Sequence, residues 1–163
     1  MHDIVSAFDR NADAIAPAAT EDRFGSDRVL ALLRDDLVAL GFEVEAGKRR
    51  ADKIQRPVFF GDDGEPSLSY EIDAYNADWR CGLEVEAGRG LLGGAIYRDL
   101  IQAMVMTGVD HLVVALLNCY QPTKAKSTDF DKAKAIAAAL YGHRRVALPF
   151  RLTLIGYGPI MQP

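Results

Sequence analysis

With 163 residues, 49% of them apolar, 26% charged and a net charge of −4, the chain is sized for a single domain spanning 1–163 around one core. No apolar run approaches the ~18 residues of a membrane span, and the charged N-terminus MHDIVSAFDR lacks the layout of a leader peptide, so no membrane association and a cytoplasmic location are expected. Two cysteines, Cys81 and Cys119, exclude a disulfide scaffold, and the scattered His2, His111 and His143 argue against a zinc site or a His-based triad.

Taken in order, Ile4, Val5, Phe8, Ala12 and Ile15 recur at helical spacing and predict a packing helix from Asp3 to about Ala16, ended by Pro17. A second helix is predicted from a Ser26 cap to Gly41, with the stripe Val29, Leu30, Leu33, Leu37 and Leu40. A strand Phe42–Ala46 follows, setting Phe42 and Val44 against Glu43 and Glu45. The basic connector GKRRADKIQR leads to a short strand at Val58–Phe60 and a turn at Gly61–Gly64, whose acidic residues lack the donor spacing of a calcium loop.

The stretch Tyr70–Arg89 reads as two alternating strands joined at Asn76-Ala77-Asp78. Tyr70, Ile72 and Ala74 oppose Glu71, Asp73 and Tyr75; Cys81, Leu83 and Val85 oppose Gly82, Glu84 and Glu86. Paired in a suitable register with Phe42–Ala46, these strands gather Glu43, Glu45, Glu71, Asp73, Glu84 and Glu86 on one face, where like charges repel. A solvated sheet face is the plain alternative, but such faces carry interspersed lysines and these strand interiors carry none. Clustered carboxylates without internal counter-ions point to a hard divalent cation, which takes oxygen ligands.

Beyond Arg89, glycines open an apolar helix from about Gly94 to Thr107 with Arg98, Asp99 and Gln102 as its polar side; neither nucleotide-binding glycine signature is present. Apolar residues around most of its circumference, Ala95, Ile96, Leu100, Ile101, Met104 and Val105, point to a homodimer, against full burial in a monomer. HLVVALL at His111–Leu117 is a buried strand, reached by a parallel crossover. A helix at about Asp129–Tyr141 with Thr128 as cap, and a strand Arg151–Gly156, close the chain. Basic residues cluster at Lys48–Arg50 with Lys53 and Arg56, at Lys124, Lys126, Lys132 and Lys134, and at His143–Arg145; each run can neutralise phosphates or simply be solvated.

The order helix, strand, strand, strand, helix, strand from Asp27 to Leu117 resembles the core of the PD-(D/E)xK nuclease superfamily. Ile72-Asp73 looks like its Pro-Asp element, and Glu84-Val85-Glu86, beginning eleven positions after Asp73, looks like its (D/E)xK element with Glu in place of Lys. The resemblance implies an α/β fold: a restriction-endonuclease-like αβββαβ core with a mixed central sheet flanked by helices, plus an N-terminal helix and a C-terminal helix-strand extension. It implies hydrolysis of phosphodiester bonds, of DNA by expectation, with Mg²⁺ or Mn²⁺ held by Asp73 and Glu84 while Glu86 adds a ligand or orients water. It also implies supporting roles for Glu43 or Glu45, for Gln102 near the substrate, and for Arg89 or Lys48 as the missing cation. The substitution at Glu86 keeps a second expectation open, a catalytically silent nuclease-fold module that binds nucleic acid or a protein.

Overall fold

The computed structural model describes residues 1–21, 24–88, 94–121, 127–143 and 146–160. Arg89, Lys124, Lys126, Arg144 and Arg145, named above, lie outside the described residues. A mixed five-stranded sheet forms the centre, in the order β1 (Glu43–Val44), β4 (Ala74–Asn76), β5 (Cys81–Glu86), β6 (His111–Leu117), β7 (Arg151–Tyr157). β1, β4 and β5 pair antiparallel, and β5, β6 and β7 pair parallel, so the helix between β5 and β6 is a crossover as the apolar run of β6 requires. A separate two-stranded ribbon pairs β2 (Ile54–Phe60) with β3 (Pro66–Ile72).

Both sheet faces are covered, which is why β6 is apolar on each side. On one face α1 (His2–Arg10), α2 (Ala12–Ile15) and α3 (Ser26–Ala39) bury Ile4, Phe8, Ile15, Leu33 and Leu37 against Leu83, Val85, Val113, Ala115 and Leu117. On the other, α4 (Ala95–Val105), α5 (Asp129–Gly142) and the ribbon bury Ile96, Leu100, Ala103, Ala133, Ile72 and Val58 against Leu112, Val114 and Leu116. Cys81 and Cys119 are both buried, and among the described residues no helix is long and apolar enough to cross a membrane.

Several expectations about elements are corrected. The N-terminal helix is broken at Asn11, whose side chain bonds back to Ala7 O and across to Asp36. Gly25, not Ser26, occupies the cap position of α3. The strand expected over Phe42–Ala46 is two residues long, and the short strand expected at Val58–Phe60 extends back to Ile54.

The largest correction concerns Tyr70–Tyr75, which is not one strand. It divides at Asp73 into β3, in the ribbon, and β4, in the central sheet, and Asp73 itself sits in a bend. Ile72 and Ala74, expected on one side, enter the cores on opposite faces of the sheet, because the bend shifts the alternation by one residue. Gly82 eases the junction: a Cβ there would lie 2.3 Å from Ile72 Cδ1, so the end of the Ile72 side chain would have to shift for β3 to lie across β5 as it does. The ribbon is held further by Thr107, whose N–H and hydroxyl both donate to Pro57 O (2.8 and 3.0 Å), and by Arg56, stacked 3.8 Å over the Tyr75 ring.

Candidate metal-binding cleft

Because β5 alternates, residues that do not face the helices α1–α3 face α4, and Glu84 and Glu86 are on that side. The bend after β3 delivers Asp73 beside them, and its Oδ2 accepts the Val85 N–H at 2.8 Å. This bond fixes Asp73 against the neighbouring strand, where β-ladder pairing would otherwise continue. Asp73 and Glu84 line a cleft of about 470 Å³ together with Glu45, Lys53, Glu71, Asp99 and Gln102, while Glu86 stands behind that lining, beside Asp99.

The electrostatics of this cleft are those of crowded carboxylates. Burial, with the field of Glu45 and Asp99 added, raises Asp73 to about 6 against the opposing Val85 hydrogen bond. Burial raises Glu84 well above the usual range, and Asp73, Asp99 and Glu86 push it the same way. Glu86 is raised to about 8 by burial and by Asp99 and Asp73, its carboxyl lying beside that of Asp99. Two ionised carboxylates cannot hydrogen-bond one another, so this pair needs a proton or a cation between its oxygens. Asp99 is only 3% exposed, is itself raised by burial, and keeps its Oδ2 without a hydrogen-bond partner.

Two cations answer these acids. Lys53, four-fifths buried, places Nζ 2.5 Å from Glu45 Oε1 and 3.9 Å from Glu71 Oε2, and the Glu45 bond raises its pKa. Arg98 puts Nη2 3.2 Å from Asp99 Oδ1 and 3.9 Å from Glu86 Oε1.

Of the residues anticipated from sequence, Asp73, Glu84, Glu86, Glu45, Glu71 and Gln102 are brought to or beside the cleft. Glu43 is exposed and lines no part of it, and Lys48 is exposed on the surface, pairing with Asp27 at 3.4 Å. The cations that reach the cleft are instead Lys53, from the basic connector, and Arg98, from α4. Asp99, expected on the polar side of its helix, shares the buried face with Ile96, Leu100 and Ala103. Its spacing of three from Ile96 and four to Ala103 is the signal that could have placed it there.

All the clustered donors are oxygens, the set a hard divalent cation takes, and the buried orphan Oδ2 of Asp99 is the kind of atom such an ion satisfies. As the side chains stand, no group of three His, Cys, Asp or Glu among the described residues is arranged to hold an ion, so coordination requires side-chain rotation. No protein-family model, curated protein or solved structure matches the chain.

Proposed function

We propose that the protein is a divalent-metal-dependent nuclease that hydrolyses phosphodiester bonds of DNA, with Asp73 and Glu84 holding Mg²⁺ or Mn²⁺ and Glu86 assisting. The observation that carries this reading is the convergence of Asp73, from the bend between ribbon and central sheet, and Glu84, from β5, at a cleft where burial penalises their charge. A protein gains nothing in stability by crowding buried acids, and a bound cation offsets the cost. When bound, such an ion lowers the pKa of a coordinated water and neutralises charge that develops on phosphate. Asp73 is kept in a single orientation by the Val85 N–H. Glu86, at about 8, lies where a group can take a proton from water near neutral pH. Lys53 contributes positive charge to the cleft wall in place of the lysine that the resembled motif would put at position 86.

The test is cleavage of supercoiled and linear DNA with Mg²⁺ or Mn²⁺ by the wild type and by Glu84→Ala, both checked for folding. Loss of cleavage in the variant supports the assignment; equal cleavage places the activity elsewhere.

A second reading, a catalytically silent nuclease-fold module binding nucleic acid or a protein, draws on the side-chain arrangement that holds no ion as it stands. It predicts neither cleavage nor a cation-dependent rise in melting temperature, whereas selective binding to the native state requires the rise. The reading also includes self-association through α4. Tyr97, Ile101 and Val105, one turn apart along its outer side, are 53%, 62% and 45% exposed and form an apolar stripe suited to a second copy.

A further inference from the structure

Asp99 and Arg98 are adjacent on α4 yet differ in every physical respect. Asp99 is 3% exposed, on the buried face of its helix; the Arg98 side chain is 62% exposed and can swing into solvent. Only one oxygen of Asp99 is covered, Oδ1, which accepts from Arg98 Nε and Nη2 at 3.2 Å each. The other, Oδ2, is buried in a cleft that Asp99 lines and receives no donor from the chain, and the Glu86 carboxyl beside Asp99 offers it only another acceptor unless one of the two is protonated. A buried carboxylate oxygen left bare is costly, and natural structures keep such atoms for a reason that lies outside the folded chain's own contacts.

Resting on the reading of this cleft as a divalent-cation site, we propose that Asp99 is a further ligand to that cation, supplied from α4 opposite Asp73 and Glu84, and that Arg98 is a stand-in counter-ion released when the cation binds. The guanidinium covers Asp99 Oδ1 and approaches Glu86 Oε1 at 3.9 Å, so it occupies the position from which positive charge balances the pair. It can do so only partially, since the fork of donors leaves Oδ2 empty. A small divalent ion among the carboxylates satisfies that oxygen and makes the guanidinium redundant. Once displaced toward the mouth of the cleft, Arg98 presents its planar donors to an incoming phosphate. Metal loading and anion capture are thereby the two halves of one charge exchange.

A purely structural ion pair predicts the opposite signs. The experiment is calorimetric titration of the full chain with Mn²⁺ alone, comparing wild type, Glu84→Gln, Asp99→Asn and Arg98→Gln, with melting in EDTA as the check of folding. Asp99→Asn should weaken Mn²⁺ binding about tenfold or more, as ligand charge does in oxygen-donor sites. Arg98→Gln should tighten it, because a competing cation is removed. Mn²⁺ affinity unchanged in Asp99→Asn, or weakened in Arg98→Gln, overturns the proposal while leaving Asp73 and Glu84 as ligands if Glu84→Gln still fails to bind. Binding that survives Glu84→Gln but is lost in Asp99→Asn removes the Glu84 assignment and supports Asp99. No binding by the wild type removes both. Should Asp99→Asn not fold, the sign of the Arg98→Gln effect decides the matter alone.

Discussion

Glu84 is the residue on which the chemical reading turns, since it stands on the central strand with Asp73, Glu86 and Asp99 all acting on it. Glu84→Ala should abolish metal-dependent DNA cleavage and at the same time raise the melting temperature in EDTA, because it removes a buried acid whose ionisation burial and the surrounding carboxylates penalise and Arg98 only partly offsets. A gel assay and a thermal melt on one preparation read both effects. The acids around it also set a pH dependence whose sign follows from linkage. Asp73 and Glu86 titrate in the folded protein at about 6 and about 8, against ordinary values of 3.8 and 4.5. The native state therefore retains protons that the unfolded chain has released, so metal-free stability is full below the ordinary values and falls as pH rises through the folded ones. Melting in EDTA should occur at lower temperature at pH 8 than at pH 5, and saturating Mn²⁺ should shrink the difference, because the ion replaces the protons. A flat or rising profile in EDTA would mean these carboxyls are not buried in solution. The half-buried Asp36 and the exposed Asp110 are held low by Arg10 and Arg80, and titrate below this window.

Among elements, the joint between ribbon and sheet sets the geometry that the site needs. Gly82→Val should drive Ile72 out of its seat, since even a Cβ would stand 2.3 Å from Ile72 Cδ1, and overpacking of this kind costs about 1–3 kcal/mol. Urea unfolding should register that loss. The displaced neighbour is Asp73, so Mn²⁺ binding should weaken as well, although position 82 touches no ligand. How far the sequence disclosed these elements depended on the strength of their periodicity. Helix α3 and strand β6 were legible because each repeats its pattern without interruption against a buried face. The division at Asp73 was not, because Tyr70–Tyr75 goes on alternating in composition through the bend while its side chains change sides. The extent of the ribbon was hidden by Pro57 and the irregular register between Pro57 and Phe60, which leave β2 with little alternation. Glu84 and Glu86 could be read from local spacing alone; the spacing of Asp99 marks only its buried face, and that it and Lys53 meet at the cleft depends on packing between elements distant in sequence. Lys53 looked like one more charge in a basic connector until the ribbon folded over Glu45.

At the scale of the molecule, α4 carries both a wall of the cleft and an exposed apolar stripe, so the proposed assembly and the proposed chemistry would be neighbours. Light scattering should report a dimer at micromolar concentration, and Ile101→Lys, placing a charge where a 62% exposed apolar residue stands, should yield a monomer that still binds Mn²⁺. A wild type that remains monomeric across that range would leave the stripe without this role and the cleft untouched. The ribbon has a different significance. Its base is fastened by Ile72, Thr107 and Arg56, while its far end, Gly61–Glu65, closes on itself through Gly61 N–H to Glu65 O and Gly64 N–H to Gly61 O. The fastened end fixes Asp73; the free end is a self-contained turn. Length and sequence at that turn are consequently decoupled from the acids at the base, and descendants of this fold could lengthen, shorten or exchange the tip to engage different surfaces while inheriting the same chemistry unchanged.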